Sequence, residues 1–134
     1  MEKKISITLE NGAELSNTVN LLLSQKLVIG FGTVIPAYNL LHDALRGILD
    51  FIAQAKSDEE AVALGLSKAK VMVNYMLVKE QIRKDIAEIL NAVLDYLEKM
   101  LKEHRDHRDV RVIVERSRVL IDALAVCVYR YGRF

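Results

Sequence analysis

The stretch that decides the fold is residues 65–103, GLSKAKVMVNYMLVKEQIRKDIAEILNAVLDYLEKMLKE. It has no proline, and after Gly65 the chain has no further glycine until Gly132. Apolar residues recur in it at intervals of three and four: Tyr75, Val78, Ile82, Ile86, Ile89, Val93, Leu97 and Met100. This spacing, close to a heptad repeat and flanked by charged residues, predicts helix.

The length of this helix is open from the sequence. A continuous helix over about 67–103 would extend about 55 Å at 1.5 Å per residue, longer than a compact domain of this size is wide. A break near Lys79-Glu80 would restore compactness, whereas an unbroken helix would project and favour self-association. The sequence supports both alternatives.

Two helices are expected before this stretch. The first has apolar residues at helical spacing from Ser16 and stops at Gly30-Phe31-Gly32, where two glycines favour a cap and a turn. Thr33, with Pro36 in the following first turn, is typical of a helix restart. The second helix then runs to about Lys56.

Further boundaries come from polar residues. Ser57-Asp58-Glu59-Glu60 has the pattern of a capping box, in which the Ser57 hydroxyl accepts from the Glu60 amide and the Glu60 carboxylate accepts from the Ser57 amide. The charged stretch 102–109 interrupts the apolar spacing and predicts a turn. A final helix follows, with an apolar side formed by Val110, Ile113, Val114, Leu120, Ile121, Leu124, Cys127 and Val128.

The first residues follow a different period. Ile5, Ile7 and Leu9 alternate with polar residues and lead to the turn signal Asn11-Gly12, which predicts a short extended N-terminal arm over residues 1–12. The arm either packs on its own domain or pairs with another copy. The expected fold is all-α, with a single domain over 13–134 that forms a bundle of four to five helices.

Composition excludes several classes of protein. Of 134 residues, 51% are hydrophobic and 28% charged, with a net charge of +1, which is the opposite of a disordered chain. The single cysteine, Cys127, cannot form an intramolecular disulfide, so a reducing, cytoplasmic location is expected. No secretory signal is visible at the N-terminus, and the apolar stretch Leu27–Leu41 is shorter than the roughly 20 residues of a membrane-spanning helix. We therefore expect no membrane partner.

Candidate catalytic groups are few. His104 and His107 are spaced i, i+3, and with His42 they are the possible ligands of a metal-dependent helical-bundle enzyme. The chain has no Glu-x-x-His element of the kind that di-metal carboxylate bundles use, and it has no nucleophile elbow or phosphate-binding glycine loop. A non-enzymatic protein with no cofactor and no metal is expected.

The distribution of charge is more informative. Residues 99–134 hold nine basic against five acidic residues, a local charge of +4, and the rest of the chain carries −3. Arginine makes bidentate contacts with phosphate, and aromatic residues near the C-terminus offer surfaces for base stacking. The candidate nucleic-acid-binding residues are Arg105, Arg108, Arg111, Arg118, Arg130, Arg133 and Tyr131. Salt bridges within the helix are the competing interpretation of these arginines.

Apolar residues exceed what one helix face requires, and they are nearly continuous over 71–78. This excess favours a homo-oligomer or a constitutive protein partner that covers the remaining face. The sequence thus predicts a self-assembling helical protein, architectural or coat-like, that contacts nucleic-acid backbone with strong salt dependence. A small helical subunit of a larger nucleoprotein complex is the alternative, and the choice between DNA and RNA is open.

Overall fold

The structure is a computed structural model that describes residues 12–24, 26–55, 58–103 and 107–134. These ranges contain five α-helices: α1 (Gly12–Leu23), α2 (Ile35–Ala55), α3 (Glu59–Val78), α4 (Lys84–Glu103) and α5 (His107–Tyr131). The predicted all-α helical bundle is confirmed. Residues 1–11 of the predicted arm lie outside the described residues, and Gly12, its predicted last residue, is the first residue of α1.

Helices α2 to α5 form the bundle. Each packs on the next along the chain, and α5 also packs on α2, which closes the ring, while α1 lies against α5. Short connections make consecutive helices antiparallel. The core follows from the three-and-four spacing of apolar residues; among its fully buried members are Tyr38, Leu41, Ile52, Val73, Ile86, Leu97 and Leu120. Burying each such aliphatic side chain stabilises the fold by about 1.5–3 kcal/mol.

The long apolar stretch is broken between α3 and α4. Of the two alternatives, the structure has the break near Lys79-Glu80 and not the continuous helix over about 67–103. The amide of Glu80 donates to the Leu77 carbonyl and that of Gln81 to the Met76 carbonyl, both at 3.0 Å, which is the Schellman pattern of a helix end. Glu80 stands at the left-handed position, with φ of 59°, where glycine is usual. The sequence therefore offered no glycine to mark the break. Tyr75 and Val78, which share the three-and-four spacing of Ile82 and Ile86 in the sequence, are exposed on α3.

Three other boundaries differ from those predicted. Helix α1 begins at Gly12, four residues before Ser16, and ends at Leu23 rather than at Gly30. Helix α3 takes Asp58 as its N-cap, whose Oδ1 accepts from the Ala61 amide at 3.1 Å. The predicted cap Ser57 lies outside the described residues.

Candidate nucleic-acid interface

Three segments of the chain meet at the end of the bundle where α2 and α4 begin and α5 ends. We call this meeting point the junction; it comprises residues 30–35, 81–83 and 131–133. Backbone hydrogen bonds join its segments: Gly32 N to Tyr131 O (3.0 Å), Val34 N to Gln81 O (2.9 Å), Arg133 N to Thr33 O (2.8 Å) and Ile35 N to Arg133 O (2.7 Å). The Thr33 hydroxyl, which is buried, also accepts from the Arg83 amide at 3.1 Å. The junction is therefore a fixed scaffold rather than three separate loops.

Glycines make this close meeting possible. Gly30 and Gly32 adopt φ of 75° and 79°, a conformation that is costly for other residues. At Gly132 a Cβ would lie 2.5 Å from the Val128 carbonyl oxygen and 2.7 Å from that of Thr33. Both obstacles are backbone atoms, so the tail approaches the loop this closely only because residue 132 is glycine.

Two exposed arginines bind the backbone of the junction, and a third, Arg130, binds the end of α1 beside it. Arg83 Nε donates to the Phe31 carbonyl at 3.1 Å, Arg133 Nε to the Gly32 carbonyl at 3.2 Å, and Arg130 Nη1 to the Leu23 carbonyl at 3.0 Å. A Cβ at Gly32 would lie 2.8 Å from Arg83 Nη2, so the Arg83 guanidinium also lies directly over that glycine. A guanidinium has five N–H donors, and one bond to a carbonyl orients it without neutralising its charge. The junction thus presents oriented positive charge to solvent.

Aromatic side chains border these arginines. Phe31 is 71% exposed, and Phe134 at the chain terminus is 89% exposed. The Arg130 guanidinium carbon lies 6.0 Å from the centre of the Tyr131 ring, within cation–π range. Exposed rings beside arginines provide the combination that unpaired bases and their phosphates occupy on single-strand-binding proteins.

The structure separates the arginines that the sequence grouped together. Arg130, Arg133 and Tyr131 lie at the junction. Arg111 is exposed near the other end of α5, about 28 Å from Arg130 along the helix. Arg105 lies outside the described residues, as does the side chain of Arg108.

Arg118 is placed differently from the other candidates. Its side chain is 18% exposed, with Nη2 2.6 Å from Asp50 Oδ1 and Nε 3.3 Å from Glu115 Oε1. Two carboxylates offset its charge, and its hydrogen bond to Asp50 raises the pKa of Arg118 above the ordinary value. Arg118 therefore joins helices α2 and α5 and does not belong to the interface proposed below.

Sequence reasoning missed Arg83. It lies in the connection between α3 and α4, just after the break near Lys79-Glu80 that the sequence left as one of two alternatives, and it is 47 residues from Arg130. That break alone places Arg83 in a loop. Its position over Gly32 depends on the packing of α4 against the rest of the bundle, which no local spacing encodes.

His42 and Cys127 both have contacts typical of a structural role. His42 Nε2 lies 2.7 Å from Asp122 Oδ1, and its ring stacks on that of Tyr38. In the described part of the chain, no three His, Cys, Asp or Glu residues are grouped as a metal site. His104 and the side chain of His107 lie outside that part. Cys127 is buried, its thiol contacts the Leu22 carbonyl at 3.2 Å, and burial raises its pKa, all of which oppose a nucleophilic role.

One described helix, α3, meets the length and composition of a membrane span. Its most apolar 18-residue window has a mean hydropathy of 1.3, and 28% of that window is buried in the bundle. Core helices of soluble proteins meet the same criterion, but they are mostly buried. Helix α3 is therefore unusual for how much apolar surface it leaves exposed.

Known proteins supply no family for this chain. No protein-family model, no curated protein and no solved structure matches it. The junction and the exposed surface of α3 are therefore the features of the molecule that point to a function.

Proposed function

We propose that this protein is a non-enzymatic, self-assembling helical protein, architectural or coat-like, that binds nucleic-acid backbone through the junction. The observation that carries the proposal is that Arg83 and Arg133, from two distant parts of the chain, bind the carbonyls of Phe31 and Gly32 in one loop. Arg130 binds the Leu23 carbonyl at the end of α1 beside them. Arginine is suited to bidentate contact with phosphate, and contacts of this kind carry no base sequence. The binding is accordingly strong at low salt and weakly dependent on sequence.

Two further features support this function. The carbonyl-bound guanidinium groups are oriented before a ligand arrives, which lowers the entropy lost on binding. Phe31 and Phe134 add exposed ring surface beside them, which favours single-stranded over duplex ligands because unpaired bases can stack on the rings. The cytoplasm is the proposed location, since the buried free thiol of Cys127 suits a reducing compartment.

A second candidate is a small helical subunit of a larger nucleoprotein complex. The exposed apolar side of α3 favours it, because such a surface fits a constitutive protein partner. Both candidates use the junction for phosphate contact and differ in what covers α3. The mass of the purified protein at micromolar concentration separates them, since only the self-assembling protein forms an oligomer without other chains.

The test of phosphate binding is fluorescence anisotropy of a labelled oligothymidylate about 20 nucleotides long, titrated with the full chain over a series of salt concentrations. The triple variant Arg83→Ala, Arg130→Ala, Arg133→Ala should bind at least about tenfold more weakly at low salt, and its log–log salt slope should fall by about 2.

The matched control removes three exposed positive charges elsewhere, by Arg46→Ala, Lys99→Ala and Arg111→Ala. It has the same net charge as the triple arginine variant, so it should lose much less affinity if position matters. Equal losses in the two variants would show that binding depends on total charge alone and would refute the junction as the site. Circular dichroism establishes that both variants are folded.

A further inference from the structure

Helix α3 carries two apolar seams on opposite sides. The inner one packs in the bundle through Val62, Leu66, Ala69 and Val73, all buried. Leu64 and Val73 are nine residues apart, which at 100° per residue places them on opposite sides of the helix. The outer seam, as we define it, comprises Leu64, Lys68, Val71, Tyr75 and Val78. Its steps of four and three are those of a heptad repeat, and its apolar members range from 55% exposed at Leu64 to 80% at Val78.

Helix α2 extends this apolar surface. Leu40 and Phe51, both exposed, are eleven residues apart and so lie on the same side of α2. A Cβ at Gly65 of α3 would lie 3.5 Å from Phe51 Cδ1, which shows that this side faces α3. The outer seam thus belongs to a surface contributed by two helices rather than to scattered single residues.

The N-terminal end of α3 is acidic, whereas its C-terminal end carries one exposed residue of each sign, Lys79 and Glu80. Asp58, Glu59 and Glu60 are exposed at its N-terminal end. Lys79, the residue after its last turn, is exposed at the other end, with its Nζ 5.7 Å from the Tyr75 ring centre. A second α3 lying parallel would place acid against acid, whereas an antiparallel one places Lys79 as well as Glu80 beside the acidic end. The smaller repulsion between acidic residues, the contact of Glu60 with Lys79 and the helix dipoles therefore favour an antiparallel arrangement.

We propose that the outer seam is the two-fold interface between two copies of this chain, with their α3 helices antiparallel. This inference rests on the proposed self-assembly and names its surface. The two-fold axis passes between residues 69 and 70, so that Leu64 faces Tyr75 of the second copy and Lys68 faces Val71 of the second copy. A single lysine within an apolar seam costs stability but fixes the register, and its long stem covers apolar surface.

The seam fits a second copy better than a lipid surface. The inner seam of α3 is buried against α2 and α4, so α3 cannot enter a bilayer without opening the bundle. Helices that lie on membranes carry several basic residues along the polar face, which anionic lipids attract. The outer seam instead has one lysine at its centre and three acidic residues at one end.

The proposed pairing has a consequence for the junction. Helix α3 ends at the junction end of the bundle, so antiparallel pairing directs the two junctions toward opposite ends of the dimer. They are separated by about 30 Å along the α3 axis, the length of a 20-residue helix. One dimer therefore has the geometry to bridge two nucleic-acid segments.

Cysteine cross-linking tests the orientation, since the native Cys127 is buried. Leu64→Cys and Tyr75→Cys are made in separate full-length chains and oxidised alone and mixed. The proposed register brings residue 64 of one copy to residue 75 of the other but keeps identical residues about 16 Å apart. Covalent dimer should form in the mixture only. Dimer from either variant alone would indicate parallel pairing, and no dimer in the mixture would also overturn the proposal.

A charge series tests the interface without cross-linking. Val71→Lys brings a lysine against Lys68 of the second copy and should halve the mass measured by light scattering to the 15.2 kDa of one chain. Val71→Glu meets that same lysine with an opposite charge and should remain dimeric. Dissociation of both variants, or a monomeric wild-type chain, would overturn the proposal.

Two readouts separate this inference from the proposed nucleic-acid binding. Val71→Lys should retain the binding of a single junction to oligothymidylate, and the triple arginine variant should remain dimeric. Sedimentation with phosphatidylcholine–phosphatidylserine vesicles tests whether the outer seam binds a lipid surface instead of a second copy. A wild-type chain that is monomeric and sediments with the vesicles would assign the seam to lipid and overturn the dimer.

Discussion

Helix α5 and its tail hold arginines in two kinds of surroundings. Arg118, in the middle of the helix, lies 2.6 Å from the Asp50 carboxylate. Arg130 and Arg133, near its end, bind the carbonyl oxygens of Leu23 and Gly32 instead. A carboxylate offsets the charge of a guanidinium, whereas a carbonyl orients the group and leaves the charge available. We therefore propose that the atom an arginine contacts, rather than the number of arginines, decides which part of α5 attracts phosphate.

The largest expected effect comes from a substitution that disrupts the junction, which holds Arg133 in place. In Gly132→Val the new side chain meets the carbonyl oxygens of Val128 and Thr33, which are backbone atoms and cannot move aside independently. We expect the free energy of unfolding to fall by roughly 3 kcal/mol or more, because the tail must leave the loop. Urea denaturation measures the change, and oligothymidylate affinity should fall with it because Arg133 loses its anchor.

Gly47 provides the control for that substitution. It lies within α2, and a Cβ there would have no neighbour within 4 Å among the described residues. Gly47→Ala should therefore raise the free energy of unfolding by about 0.5–1 kcal/mol through helix propensity. Equal urea midpoints for Gly132→Val and the wild type would contradict the close approach seen at the junction.

The next largest effects are expected at Arg118 and Arg133, where one substitution should change mainly stability and the other mainly nucleic-acid affinity. Arg118→Ala leaves Asp50 and Glu115 without their shared partner and should lower the free energy of unfolding by about 1 kcal/mol, while oligothymidylate affinity stays within about twofold of wild type. Arg133→Ala should show the reverse, with little loss of stability and about threefold or greater loss of affinity.

The pair of variants is informative because each is the other's control. Urea denaturation and anisotropy are measured on both at one salt concentration. If Arg118→Ala weakened oligothymidylate binding as much as Arg133→Ala, contact with a carboxylate rather than a carbonyl would not decide which arginines bind phosphate. Arg118 and Arg133 would then belong to one binding site, as the sequence suggests.

The sequence predicts the helices better than the site, for a physical reason. Apolar spacing on α4 is a local property, so Ile86, Val93 and Leu97 are correctly predicted to share a buried face. The turn at Glu80 is set by a left-handed residue that is not glycine, and no composition signal marks it. The contact of Arg83 with the loop that carries Phe31 spans 52 residues and exists only after α4 has packed.

The arginines also show what sequence patterns cannot predict. Charge counting correctly identified the C-terminal third as basic, but it could not distinguish Arg118 from Arg133, because the residues they contact are distant in sequence. Asp50 is 68 residues from Arg118, and Gly32 is 101 residues from Arg133. Contacts at that separation depend on how the helices are arranged in the bundle, not on any pattern within α5.

The smallest expected effect concerns an ion pair between a lysine and a glutamate away from α5, and it appears in the pH dependence of stability. Lys70 of α3 hydrogen-bonds to Glu98 of α4, and this bond lowers the pKa of Glu98 below its ordinary value. A carboxyl with a lowered pKa in the folded state stabilises the protein above its unfolded pKa and loses that contribution as the pH falls through the folded value. Both side chains are substantially exposed, so solvent screening keeps the contribution small.

Glu98→Gln should therefore flatten the decline of stability below about pH 4.5, where the unfolded carboxyl titrates, and change little near neutral pH. Urea midpoints from pH 7 down to about pH 3 measure it. Residue 98 lies 14 residues from the junction end of α4, so a Glu98→Gln variant should bind oligothymidylate like the wild type at neutral pH. If the urea midpoints of the variant fell with decreasing pH as steeply as those of the wild type, the Lys70–Glu98 pair would add nothing to stability. It would then be only a surface contact, in contrast to the role expected of Arg118–Asp50.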